Sequence, residues 1–266
     1  MSFFTTNDGV AINYHEYGDK SAQALIFING YSASEITWFL QIDAFVQAGF
    51  HVVTYDHRNH GESDKVTYGL TIQRIGKDLS ELMVHLELTD VILIGHSMGA
   101  ATINAYEELM TDGAVRAVVT EDQAPTFLKF SDWLDGNGQE LSALPDFMEA
   151  FPRTHLTVKP LPDDVKRTLG KGMLPFDFKA NAGLLRNVMV QDWRANIARE
   201  RVPHLFLAGG NSPIFPPEHA IAARALQHNP QSEALVFPGD GHILHLEDAE
   251  KFNATVLNFL ESITQA

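Results

Sequence analysis

The chain contains no cysteine. That excludes a disulfide framework, a thiol nucleophile and any thiolate metal site. Basic residues are scarce: 19 Lys and Arg stand against 34 Asp and Glu, a formal charge of −15. Nucleic acid and anionic membrane surfaces are neutralised by basic faces, so neither is expected as a partner. No run approaches the roughly eighteen consecutive apolar residues that span a bilayer. Residues 1–8 lack the basic start and apolar core of a signal peptide, so a cytoplasmic location is expected. Histidines are numerous, at twelve, yet no His-Glu-x-x-His helix and no ligand-spaced cluster occurs, so neither a metal nor a cofactor is expected.

What is present is a chain of 266 residues, 45% hydrophobic, long enough for one large α/β domain with an insertion. Short apolar runs alternate with amphipathic stretches. Residues 24–28, 51–55, the apolar run 91–94, 115–119, 203–207 and 234–237 read as buried strands. Residues 36–48 carry Trp38, Phe39, Ile42, Phe45 and Val46 at helical spacing, and residues 71–88 place Ile72, Ile75, Leu79, Leu82, Met83 and Leu86 on one face. A last helix is expected over 247–263. This alternation predicts a mostly parallel sheet with helices on both faces. Residues 125–201 break the rhythm with six prolines, several aromatics and no buried strand. They read as a helical cap inserted into a core formed by 1–124 and 202–266.

One stretch is chemically pointed. The strand Val91-Ile92-Leu93-Ile94 runs into Gly95-His96-Ser97-Met98-Gly99, and a helix follows. A serine on the sharp turn between strand and helix has a strained backbone, and flanking glycines make room for it. Its hydroxyl is pushed above the sheet, and the Met98 N–H at the helix start can face a developing oxyanion. A serine hydroxyl needs a base, and the base needs an orienting acid. In chains built this way the acid and then the histidine follow the serine. Late in the chain, Pro238-Gly239-Asp240-Gly241-His242 presents His242 on a glycine-rich loop before the final helix. His245 reads as a helix-start residue that packs this loop.

These pieces resemble the α/β-hydrolase superfamily over most of the chain. Ile28-Asn29-Gly30-Tyr31 stands where relatives often carry His-Gly, and Asp56-His57-Arg58-Asn59-His60-Gly61-Glu62-Ser63 is similar to their Asp-x-Arg-Gly-His-Gly-x-Ser loop. The resemblance implies an α/β-hydrolase fold and assigns the second oxyanion N–H to Tyr31. Asn59 replaces a glycine, and asparagine tolerates left-handed backbone. The triad acid is where the chain departs from the pattern. Its usual place, after the strand ending near Ala208, is occupied by Ser212; Glu218 lies beyond, where glutamate suits the first turn of a helix. The alternative is Thr120-Glu121-Asp122-Gln123-Ala124-Pro125, similar to the Asp-x-Ala-Pro segment of some small esterases. Asp122 is then the acid, or else a cap for the next helix. Strand alternation lets only one of Glu121 and Asp122 face His242.

The resemblance implies hydrolysis of a carboxylic ester or lactone by Ser97, His242 and Asp122. Carbon–carbon bond hydrolysis and perhydrolysis use the same groups, and the missing acid at Ser212 leaves open a small-molecule receptor built on the same fold. Phe127, Phe130, Trp133, Trp193 and Phe215 are candidates for the substrate pocket, together with Tyr31, Trp38, Phe147, Met148 and Met189. An apolar cap over the serine favours a small-molecule substrate with a hydrophobic arm.

Overall fold

The computed structural model describes residues 2–110, 113–130, 132, 133 and 138–264. The chain runs β1 (Ser2–Thr5), β2 (Ala11–Tyr17), β3 (Ala24–Ile28), α1 (Phe39–Gln47), β4 (His51–Tyr55), α2 (Ile72–His85), β5 (Val91–His96), α3 (Met98–Leu109) and β6 (Val115–Glu121). Then come α4 (Leu144–Ala150), α5 (Asp163–Gly172), α6 (Ala182–Met189) and α7 (Arg194–Arg199). The chain finishes with β7 (His204–Gly209), α8 (Glu218–Leu226), β8 (Glu233–Phe237), α9 (Leu244–Glu247) and α10 (Ala249–Thr264).

The eight strands form one sheet in the order β1-β2-β4-β3-β5-β6-β7-β8. The first two pair antiparallel at one edge, and β4 to β8 run parallel. Period-two alternation divides the core into two layers. Ile26, Ile28, Val53, Leu93 and Val118 meet Leu79, Leu82 and Met83 of α2 and Ile103 and Tyr106 of α3. Their neighbours Leu25, Phe27, Val52, Ile92, Ile94 and Val119 point the other way, onto Phe45 of α1 and Phe252, Val256 and Phe259 of α10. Strands buried on both faces have to be apolar throughout, which is why β3 and β5 read as continuous hydrophobic runs.

Several boundaries differ from expectation for local reasons. The helix expected over 36–48 opens as a 3-10 turn at Glu35–Trp38. The one expected over 71–88 stops at His85, because Glu87 turns left-handed at φ +55°. The final helix is interrupted at Asp248, whose non-helical backbone (φ −143°, ψ 60°) separates α9 from α10. The antiparallel pair β1 and β2 carries no continuous apolar run and escapes a search for buried strands. Between β6 and β7 lie α4 to α7, of which α4 contributes Leu144 and α6 contributes Leu184, Leu185 and Val188 to a cluster shared with Ile72 and Ile75 of α2 and Met98 and Ala101 of α3. The insertion thus packs over the start of α3, where Ser97 lies.

Candidate active site

Ser97 sits between β5 and α3 at φ 52°, ψ −118°, a region costing of order 1–3 kcal/mol for a residue with a side chain. Glycines on either side make this turn possible. A Cβ on Gly95 would lie 2.5 Å from the Gly99 carbonyl carbon, and a Cβ on Gly99 would overlap the Ile28 carbonyl oxygen. The Ser97 N–H donates to the Glu121 carbonyl at 2.9 Å, tying the turn to the end of β6. Within the described residues no hydrogen bond engages the N–H of Tyr31 or Met98. Met98 opens α3, so its N–H is one of the unpaired donors of a helix N-terminus.

Past β6 the backbone turns left-handed at Asp122 (φ +48°), and the two acidic side chains part. Asp122 Oδ2 accepts from His242 Nδ1 at 2.6 Å and from Ser212 Oγ at 2.5 Å. Its Oδ1 accepts from the Gly209 N–H at 2.9 Å and faces His219 Nε2 at 3.4 Å. Burial alone would push this carboxyl up, but the hydrogen bonds from His219 and His242, with their charges, hold it well below the usual carboxylate range. An ionised Asp122 fixes the proton of His242 on Nδ1 and leaves Nε2 as the basic nitrogen. Glu218, by contrast, lies exposed in the first turn of α8, complementing that helix's dipole. Ser212 is the second donor on Asp122, a role its place in the chain did not suggest.

Glu121 faces a different histidine. Its carboxyl lies 2.8 Å from His245 Nδ1 and accepts the His245 N–H at 3.1 Å. Burial raises Glu121 to about 7 and lowers His245 to about 3. Trp38, a pocket candidate, stacks on His245 at 3.9 Å and is part of the core. His96 Nε2 bonds the His242 carbonyl at 2.9 Å, holding the backbone of that loop.

The loop itself is clamped from the insertion. The His242 N–H donates to the Leu156 carbonyl at 2.8 Å. Glu247 Oε2 accepts the N–H groups of Val158 at 2.9 Å and Lys159 at 2.8 Å, while its carboxylate also accepts the Gly241 N–H at 3.1 Å. Lys159 Nζ pairs with Asp240 and, at 3.4 Å, with Asp248. Nothing in the sequence flagged Lys159 or Glu247. Except for the Gly241 N–H, six residues before Glu247, their partners lie more than eighty residues away, and only the folded chain brings them together.

Asp56, Arg58 and His60 organise the loop after β4. Asp56 accepts the Glu35 N–H at 2.8 Å and the Glu62 N–H at 2.9 Å, and Arg58 is fully buried between Asp78 and Asp8. Asn59 is left-handed at φ +66°, as its substitution for glycine requires. The Asn29 side chain donates to the Ala33 carbonyl at 3.0 Å, bracing the turn that carries Tyr31.

A narrow cleft opens on Ser97. Tyr31, Met98 and Phe127 line it, as do Gln123, Phe151, Leu185, Val188 and Ile214, which sequence reasoning missed. Trp133, Phe130, Trp193 and Phe215 are not among its lining residues. The Arg194 guanidinium covers Phe130 at 4.7 Å and Trp133 at 5.7 Å, and Asp192 and Asp132 pin it there. Trp193 is buried in the insertion's cluster, its N–H on the Pro125 carbonyl at 2.9 Å. Phe215 packs behind Phe127 at 4.6 Å. Among the described residues no group of three or more histidines and carboxylates could hold a metal ion, and no helix is long and apolar enough to cross a membrane.

Comparison with known proteins agrees with this architecture. A non-heme chloroperoxidase from Kitasatospora aureofaciens is 26% identical over 98% of this chain and 99% of its own. A bifunctional esterase/perhydrolase from Acinetobacter calcoaceticus is 30% identical over 53% of this chain and 51% of its own. An esterase from Exiguobacterium antarcticum superposes with a TM-score of 0.87, covering 98% of this chain and 99% of that one at 20% identity, a likeness of fold. The model of the alpha/beta hydrolase family matches residues 25–255. With the parallel sheet, the Ser97 turn and the late histidine loop on one scaffold, the chain belongs to the alpha/beta hydrolase family.

Proposed function

We propose that the protein is a serine hydrolase that cleaves a carboxylic ester or lactone through an acyl-enzyme. Ser97 Oγ attacks the carbonyl carbon while His242 Nε2 takes its proton. The negative charge that develops on the carbonyl oxygen is held by the N–H groups of Tyr31 and Met98, each worth roughly 3 kcal/mol in comparable sites. Asp122 keeps the imidazole in the correct tautomer and stabilises its charged form. The leaving alcohol departs with the proton from His242. Water then attacks the acyl-enzyme by the same route and releases the acid, with no cofactor. The observation that carries the reading is the 2.6 Å contact between His242 Nδ1 and a carboxylate that is ionised despite complete burial. It also weighs against a receptor lacking the acid, since Asp122 supplies the carboxylate absent at position 212.

In this reading residues 125–201 are the cap, and their apolar side chains over Ser97 select an acyl or alcohol group with a hydrophobic arm. A second reading draws support from the relatives named for perhydrolase and chloroperoxidase activity. There hydrogen peroxide replaces water on the acyl-enzyme and a peracid leaves. Hydrolysis of p-nitrophenyl esters from acetate to octanoate, with Ser97→Ala as control, tests both. Turnover that vanishes with Ser97 and has a chain-length optimum is expected; peracid formation on adding peroxide would establish the second activity. A wild-type enzyme neither acylated nor turning over any ester in the series would overturn the proposal.

A further inference from the structure

The cleft over Ser97 contains an acceptor that the fold leaves unused. Gln123 follows Asp122 directly, and the left-handed turn at Asp122 swings it onto the cleft wall. Its Nε2 donates to the Ala124 carbonyl at 3.0 Å. A carbonyl can only accept, so this bond fixes which end of the amide is nitrogen. The other end, Oε1, is buried and has no hydrogen-bond partner among the described residues. Gln123 as a whole is only 5% exposed, so bulk water does not satisfy that oxygen.

Its surroundings sharpen the point. Phe127, Phe151, Leu185, Val188 and Ile214 of the same wall carry no hydrogen-bonding side-chain group, and Met98 offers only a thioether. A lone oxygen in an apolar wall is unfavourable until something donates to it. The Tyr31 hydroxyl, also on this wall, is the other buried polar group without a partner. A glutamine there is poor packing for a purely hydrocarbon acyl chain, for which leucine or methionine would serve better. It suits a ligand that is apolar except for one donor.

We propose that Gln123 Oε1 is a specificity determinant that receives a hydrogen bond from the substrate, so that the preferred ester carries a hydroxyl or amide N–H near its scissile carbonyl. The proposal rests on Ser97 being the nucleophile of an ester hydrolase. It narrows the substrate class from esters with a hydrophobic arm to esters whose arm also bears a donor. Sites that bind a substrate donor through a buried group discriminate strongly against analogues lacking it, because the buried group is then left unpaired.

The test uses matched pairs that differ only in the donor. Phenyl butanoate is compared with phenyl 2-hydroxybutanoate and phenyl 3-hydroxybutanoate, and propyl butanoate with 2-hydroxyethyl butanoate. Each kcat/KM is measured for the wild type, Gln123→Leu, Gln123→Met and Ser97→Ala. In at least one pair the wild type is expected to favour the donor-bearing ester by about tenfold to a hundredfold. That ratio should fall to about one in both Gln123 variants. Because the two substrates are compared on one preparation, a loss of folded enzyme cancels from the ratio. A wild-type preference near one in every pair, or a preference unchanged in the variants, overturns the proposal while leaving the hydrolase standing. No Ser97-dependent release from any ester overturns both.

Discussion

Replacing Asp122 by asparagine tests the acid assignment more sharply than deletion would, because the structure dictates how the amide must sit. Asp122 accepts at both oxygens: Gly209 N–H and His219 Nε2 face Oδ1, and Ser212 Oγ and His242 Nδ1 face Oδ2. Asparagine must place its NH₂ group at one of these positions. The Oδ1 position is closed to it, since the backbone N–H of Gly209 cannot become an acceptor. The NH₂ therefore faces Ser212 and His242. The serine hydroxyl rotates to accept, but His242 accepts only if Nδ1 gives up its proton. That proton moves to Nε2, the nitrogen that has to receive the one from Ser97. The general base is lost with scarcely any change of shape. Where this tautomer switch occurs in other serine hydrolases it lowers kcat about 10⁴-fold, or about 5 kcal/mol in the barrier. The expectation for Asp122→Asn is a loss of that order on p-nitrophenyl butanoate at pH 7–8, with the circular dichroism spectrum and thermal midpoint close to wild type. Glu218→Gln should leave turnover alone. Less than tenfold loss in Asp122→Asn, or a large loss in Glu218→Gln, would refute the reasoning.

Two further predictions concern stability. Gly99→Ala forces a methyl group into the Ile28 carbonyl, and rigid backbone stands on both sides; a loss of about 3 kcal/mol and a melting midpoint lower by roughly 5–10 °C are expected in thermal unfolding. Acid should unfold the protein steeply below about pH 4.5. Burial lowers His57, His96, His204 and His245 from 6.5 to about 3 and His60 to about 4, so the unfolded chain binds these protons first and stability falls as pH drops through that window. Glu121 and Glu200, raised by burial from 4.5 to about 7, run the other way: they favour the fold at low pH and lose that contribution as pH rises through 7. The two sets oppose each other between pH 6.5 and 4.5. Below that Glu121 and Glu200 are protonated in both states, and the histidines continue to act, each at up to about 1.4 kcal/mol per pH unit, joined by Asp122, whose carboxyl is protonated first in the unfolded chain. Urea midpoints that stay flat from pH 5 to 3.5 would contradict this.

The parts of the molecule legible in the sequence are those where local chemistry has few solutions. A serine between β5 and α3 needs glycine at 95 and 99 because α3 packs directly on the end of β3, and that demand is written in five consecutive residues. The continuous apolar runs of β3 and β5 are equally local, since burial on both faces leaves no polar position. By contrast β2, Ala-Ile-Asn-Tyr-His-Glu-Tyr, is an antiparallel strand near the sheet edge, and its mixed pattern resembles many loops. The aromatics of the insertion show a deeper limit. Phe127 and Phe130 are three residues apart and equally apolar, yet one lines the cleft and the other lies beneath Arg194. Composition cannot separate them, because the difference lies in a guanidinium more than sixty residues away.

Position 212 carries the same lesson into the chemistry. Read along the chain, Ser212 is an acid that has gone missing. Read in space, it is a hydroxyl 2.5 Å from Asp122, so the position still serves the carboxylate that holds His242. With the carboxylate on the turn just past β6, the residue after it becomes part of the wall over Ser97, and that residue is Gln123. The carboxylate that holds His242 and the polar residue of the cleft wall are thus neighbours in the chain, joined by one left-handed turn at Asp122. Moving the carboxylate to position 212 would require that side chain to reach His242 Nδ1, with Gln123 still on the cleft wall. The double variant Asp122→Asn with Ser212→Asp keeps Gln123, so any turnover it recovers should show the wild-type preference for donor-bearing over plain esters; a preference near one would refute that.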